Sequence, residues 1–84
     1  MLTLYVKAGC AFCAMALLKL DELGLEYDEK NIAETSIADE LIARGGKRQV
    51  PYLVDTDAEV EMYESSDIVK HLDMRFGGDM KAGI

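Results

Sequence analysis

Two cysteines, Cys10 and Cys13, are the residues of this 84-residue chain whose type and spacing most readily do chemistry. Two thiols this close span a loop too short to restrain the unfolded chain much, so the pair is a poor structural staple. A disulfide-framework domain of this size normally carries four or more cysteines. The pair therefore reads as chemical, and its surroundings point to thiol–disulfide exchange. Leu2–Val6 is an apolar, β-branched run, Gly9 breaks it, and a helical stretch opens at Ala11, which puts Cys10 at a strand-to-helix junction. The first N–H groups of a helix lack intrahelical partners and carry partial positive charge, so a thiolate there is stabilised, and Lys7 adds charge nearby. The expectation is a Cys10 more acidic than a free cysteine at about 8.5. Cys13, one turn inward, is expected to be less exposed and within disulfide reach. Cys10 attacks and Cys13 resolves. Two other readings stay open. One is half of a zinc site, although the chain offers only these thiols and His71 against four ligands. The other is a pair of inert thiols packed as small hydrophobes. His71, between Lys70 and Leu72, is expected to face solvent.

The elements that must position the pair follow from periodicity. Leu2–Val6 predicts a buried central strand. A helix is expected from Ala11 to Leu23, with Phe12, Ala16, Leu20 and Leu23 as its apolar positions and Gly24 as its stop. Residues 25–32 predict a second strand with Tyr27 and Ile32 in the core. Ser36 can cap a second helix, with Asp39 three residues on and Ile37, Leu41 and Ile42 as its buried stripe, ended by Gly45 and Gly46. Residues 50–54 predict a third strand, Asp55-Thr-Asp-Ala58 a turn, and residues 59–62 a half-exposed fourth strand. Ser65 or Ser66 caps a third helix running to Phe76, with Ile68, Leu72 and Phe76 on one face. Residues 77–84 carry glycines and read as a loose tail. The order βαβαββα gives a parallel pair with a right-handed crossover and an antiparallel hairpin, hence an α/β fold with a four-stranded mixed sheet flanked by three helices.

Composition narrows the function. Hydrophobic residues make up 50% and charged residues 30%, the balance of a globular domain, and 84 residues leave room for one domain. No apolar run approaches the roughly 20 residues of a membrane span. The opening Met-Leu-Thr-Leu-Tyr-Val-Lys has no basic leader with a long apolar stretch, which points to the cytoplasm. A net charge of −7 argues against nucleic acid. Basic residues nevertheless gather in two islands, Lys7 with Lys19 and Arg44 with Lys47 and Arg48, where a small anion could dock.

The chain resembles the glutaredoxin family, a branch of the thioredoxin fold, over nearly its whole length. Lys7, Cys10 and Cys13 match the family's Lys-x-x-Cys-x-x-Cys, Val50-Pro51 its Val-Pro, and Ser66-Asp67 the pair at the start of its third helix. Two departures stand out. Cys-Pro-Tyr-Cys is Cys-Ala-Phe-Cys here, and Glu64-Ser65 replaces Gly-Gly. The run Tyr63-Glu-Ser-Ser-Asp-Ile68 is also similar to the Glu-Ser turn of glutathione transferase N-terminal domains, although transferases carry a second helical domain for which this chain leaves no room. The resemblance implies a cis Val50–Pro51 bond, with the Val50 main chain pairing with the cysteinyl residue of glutathione. It further implies that Lys7 and one or more of Lys47, Arg48 and Gln49 meet the glycyl carboxylate. Phe12, Pro51, Ser65, Ser66 and Asp67 complete the site, the N-terminus of the third helix taking the γ-glutamyl carboxylate and Asp67 its ammonium.

The expected activity is that of a monomeric glutathione-dependent thiol–disulfide oxidoreductase acting on protein disulfides or glutathionylated proteins. Glutathione is its co-substrate, with no bound cofactor or metal. Two alternatives are a dimeric scaffold for a [2Fe–2S] cluster ligated by Cys10 and glutathione, and a thioredoxin-like donor served by a flavoprotein reductase.

Overall fold

The computed structural model describes residues 1–77. Its elements run β1 (Leu2–Val6), α1 (Ala11–Glu22), β2 (Asp28–Asn31), α2 (Thr35–Gly45), β3 (Tyr52–Asp55), β4 (Val60–Met62) and α3 (Ser65–Leu72), the last continued by a π-helical turn, Asp73–Gly77. The sheet order is β2-β1-β3-β4, with β1 and β2 parallel and the other pairs antiparallel. This is the four-stranded mixed sheet expected from the order of elements, in the thioredoxin-type arrangement that the resemblance implies.

The pleat of β1 divides the core. Leu2, Leu4 and Val6 project to one face, where Leu53 joins Cys13, Ala16 and Leu20 of α1 and Ile68 and Leu72 of α3. Tyr5 projects to the other, with Ile32, Tyr52, Val54 and the α2 residues Ala38 and Leu41. Leu4, Leu20, Leu41, Leu53 and Leu72 are fully buried, and each such side chain contributes about 1.5–3 kcal/mol. Lys19 of α1 bonds Asp73 across the surface at 3.1 Å, fastening α1 to the end of α3.

Several boundaries and faces differ from expectation. The buried stripe of α1 is Cys13, Ala16 and Leu20, while Phe12 is 63% exposed. Those three side chains join the cluster formed with β1, Leu53, Ile68 and Leu72, and Phe12 lies outside it. β2 begins only at Asp28 because Leu25 donates to the Leu20 carbonyl at 3.0 Å, which spends that segment on closing α1. Ile32 remains tied to the sheet through its N–H on the Val6 carbonyl. β3 starts at Tyr52, two residues later than expected, and extends to Asp55. Ser36 lies inside α2, whose cap position is Glu34, and Ile42 is exposed where Ala38 is buried. Neither Ser65 nor Ser66 is a cap. Glu64 occupies that position in α3 without a side-chain hydrogen bond. His71 does not face solvent, since its Nε2 lies 2.9 Å from Oδ2 of the fully buried Asp55. Gly77 belongs to the π-helical turn and is buried rather than part of a loose tail; residues 78–84 lie outside the described residues. Among the described residues no helix is long and apolar enough to cross a membrane.

Candidate functional site

Antiparallel pairing sets Tyr5 opposite Tyr52, so the loop leaving β1 and the loop entering β3 emerge at the same end of the two central strands. The first carries Lys7 and Cys10, the second Arg48, Gln49 and Val50. Cys10 is the N-cap of α1, and its Sγ accepts a hydrogen bond from the Cys13 N–H at 3.1 Å. The helix thus points its first amides at that sulfur. Cys10 is half-buried and Cys13 buried, and both are free thiols. Burial, reinforced by the Cys10 sulfur beside it, pushes the Cys13 thiol up to about 11 despite the opposing influence of the Lys7 main chain. Cys13 is therefore protonated at neutral pH. The pair is asymmetric in the sense expected: an accessible sulfur at the helix tip and a buried partner one turn behind it.

A groove of about 360 Å³ beside Cys10 is lined by Lys7, Phe12, Arg48, Gln49 and Val50. It runs into a second, of about 490 Å³, lined by Phe12, Met15, Val50, Pro51, Glu64, Ser65 and Ser66, with Gln49 shared by both. Together they form a trough within the usual size of small-ligand sites. The Val50–Pro51 bond is cis, as the family resemblance implied. Among the described residues no main-chain hydrogen bond reaches Val50, whose N–H and C=O are available to an extended ligand. At the far end, the first hydrogen bond of α3 runs from the Ile68 N–H to the Glu64 carbonyl at 2.9 Å. The N–H groups of Ser65, Ser66 and Asp67 thus precede the helical ladder and provide the electropositive terminus an anion needs.

Eight of the nine expected binding residues meet in this trough. Asp67 does not line it; it is exposed in the first turn of α3. Lys47 does not line it either, since its Nζ lies over the Tyr63 ring, 5.5 Å from the centroid. Met15 joins the site unforeseen, and Glu64, singled out in the sequence only as part of the Glu-Ser turn, lines it as well. The sequence held a signal for Met15, which is one helical turn beyond Phe12 and shares its face once that face is known to be exposed. Among the described residues no cluster of three or more His, Cys, Asp or Glu could hold a metal ion.

Residues 4–79 match the family model described as glutathione S-transferase, N-terminal domain. Among curated protein sequences, none matches significantly. Of solved structures, a glutathione S-transferase from the Antarctic clam Laternula elliptica shares 28% identity at a TM-score of 0.77, over 90% of this chain and 35% of that one. A glutathione transferase homologue from Burkholderia, solved with bound glutathione, shares 31% identity at a TM-score of 0.68, over 89% and 38%. A thioredoxin-like protein aligns at a TM-score of 0.66 and 17% identity over 75% of this chain and 84% of that one, a likeness of fold alone. The chain spans little more than a third of the length of the two transferase structures.

Proposed function

We infer that this chain, which belongs to the glutathione S-transferase N-terminal domain family, binds glutathione in the trough between Lys7 and Ser66 and reduces glutathione mixed disulfides through Cys10 and Cys13. The observation that carries this reading is the position of the Cys10 sulfur at the tip of α1, beside the groove that Val50 lines. Bound glutathione, in this reading, pairs its cysteinyl main chain with Val50 as an added strand would. Lys7, Arg48 and Gln49 meet its glycyl carboxylate. The amides of Ser65 and Ser66 take the γ-glutamyl carboxylate, and Glu64, with Asp67 behind it, faces the ammonium.

The Cys10 thiolate attacks the glutathionyl sulfur of a mixed disulfide. The old S–S bond breaks, the substrate leaves as a thiolate with the bonding pair, and a Cys10–glutathione disulfide forms. A second glutathione thiolate then attacks the bound glutathionyl sulfur, releasing glutathione disulfide and the Cys10 thiolate. With a protein disulfide, Cys10 is first linked to substrate. Cys13 then loses its proton and attacks Cys10, so that the second substrate thiol leaves and a Cys10–Cys13 disulfide remains for two glutathiones to reduce. Because Cys13 serves only the second route, Cys13→Ser is expected to lose reduction of protein disulfides while retaining reduction of glutathione mixed disulfides. Equal loss of both in a glutathione-coupled assay would contradict the division of roles.

The site itself is tested by titrating reduced glutathione and following amide chemical shifts. Shifts at Lys7, Val50 and Ser66 together are expected; shifts confined to other surfaces would reject the binding site. The family match favours a second reading, addition of glutathione to an electrophile. Thioether formation from reduced glutathione and an aryl halide, without mixed-disulfide reduction, would establish that reading instead.

A further inference from the structure

The two stretches that hold the trough together, residues 47–50 and the start of α3, are separated in sequence by β3 and β4. One side chain joins them. Tyr63, the residue before Glu64, accepts a hydrogen bond from the Lys47 N–H at 3.0 Å and donates one to the Lys47 carbonyl at 2.9 Å. Its ring packs on Tyr52, with centroids 4.4 Å apart. Gly45 makes room for it, because a Cβ there would collide with the Tyr63 hydroxyl and the ring carbon bearing it. Residues 47–49 are exposed and follow Gly46, whose left-handed φ of 91° ends α2. Among the described residues, the two bonds to Tyr63 are the only hydrogen bonds made by the main chain of residues 47–50.

We propose that Tyr63 is a positioning residue for glutathione, its hydroxyl holding the loop of Arg48, Gln49 and Val50 at a fixed distance from the α3 terminus. This rests on the glutathione reading given above. Tyr63 is outside the groove lining and acts through Lys47. Without the tether, an exposed loop after a glycine samples many conformations, and the ligand must order it on binding, which weakens affinity.

Tyr63→Phe removes the hydroxyl and keeps the ring on Tyr52, so it isolates the tether. Calorimetric titration with reduced glutathione is expected to show a dissociation constant about fivefold to tenfold higher, the loss of an ordinary hydrogen-bond contribution. The residual binding is expected to shift the Ser65 and Ser66 amides as in the wild type while the Arg48 and Val50 shifts shrink. Gly45→Ala, which displaces Tyr63 from the opposite side, is expected to reproduce this pattern. A wild-type chain that binds, beside a Tyr63→Phe chain that binds equally well or merely melts earlier, would overturn the tether alone. A wild-type chain that does not bind glutathione overturns the function proposed above and this assignment with it.

Discussion

Cys10→Ser is expected to lower glutathione-coupled reduction of a mixed disulfide by about a thousandfold or more, the scale seen when a nucleophile is deleted. Serine keeps the shape of the N-cap and still offers an acceptor to the Cys13 N–H, which lies 3.1 Å from the present sulfur. Fold and trough are thus retained, and the change falls on the chemistry. A serine hydroxyl at neutral pH is not a nucleophile toward a disulfide, and Cys13 is no substitute. It is buried, and burial raises its thiol pKa. The rate is followed by coupling glutathione disulfide formation to glutathione reductase, with a parallel glutathione titration to establish that the variant still binds. A variant that binds glutathione yet keeps a tenth of the wild-type rate would remove Cys10 from the reaction.

The same variant separates the two glutathione chemistries. In disulfide exchange the attacking sulfur is the protein's own, and nothing else in the trough replaces it. In thioether formation the attacking sulfur belongs to glutathione, and the protein's part is to hold that sulfur as an anion near the electrophile. Thioether formation that survives in Cys10→Ser, together with disulfide reduction that does not, would assign the exchange to Cys10 and any transfer to the remaining donors of the trough.

Much of this site was legible because its parts are local signals at element ends. A strand followed by glycine and an amphipathic helix placed Cys10 at a helix tip. The Val-Pro pair lies immediately before β3, and the Ser-Asp pair at the start of α3. Each motif could be placed without knowing what packs where. The errors fall where packing decides. Helical spacing alone is satisfied by Phe12, Ala16 and Leu20 or by Cys13, Ala16 and Leu20. Packing of α1 against α3 and the sheet residues of the same cluster buries Cys13, and Phe12 turns outward into the trough. Serines were expected to cap α2 and α3, but glutamates occupy both cap positions; in α3 this leaves Ser65 and Ser66 with the free amides. His71 has no local cue for its partner, because Asp55 reaches it across β4 and most of α3. The hydroxyl of Tyr63 on Lys47 is equally long-range, and periodicity carries no trace of it.

That buried carboxylate is the basis of the second large effect. Asp55 ends β3 with a side chain that is 0% exposed. Its Oδ2 takes His71 Nε2 at 2.9 Å and Arg75 at 3.2 Å, and its Oδ1 accepts the Ala58 N–H at 3.2 Å. It thereby ties the sheet to α3 and its π-helical turn. Asp55→Ala is expected to destabilise the domain by about 2–3 kcal/mol, below the usual range for a broken buried pair because His71 and Arg75 are partly exposed and can rehydrate. For a domain of this size that corresponds to a melting temperature lower by about 8–24 °C. A change within about 0.5 kcal/mol by urea denaturation would show that the cluster adds nothing. The sign with pH follows from the carboxyl group. Burial alone would raise its pKa, but the His71 hydrogen bond, the Ala58 N–H and the charge of Arg75 outweigh it and hold the group below its ordinary 3.8. The unfolded chain therefore takes up this proton first. The contribution is complete above the unfolded value and fades as pH falls below about 4 through the folded one. Asp55→Asn has no such group to protonate. Its stability deficit against the wild type is expected to narrow as pH falls below about 4, and a deficit that stays constant from about pH 5 to about pH 2 would mean the charge on Asp55 contributes nothing.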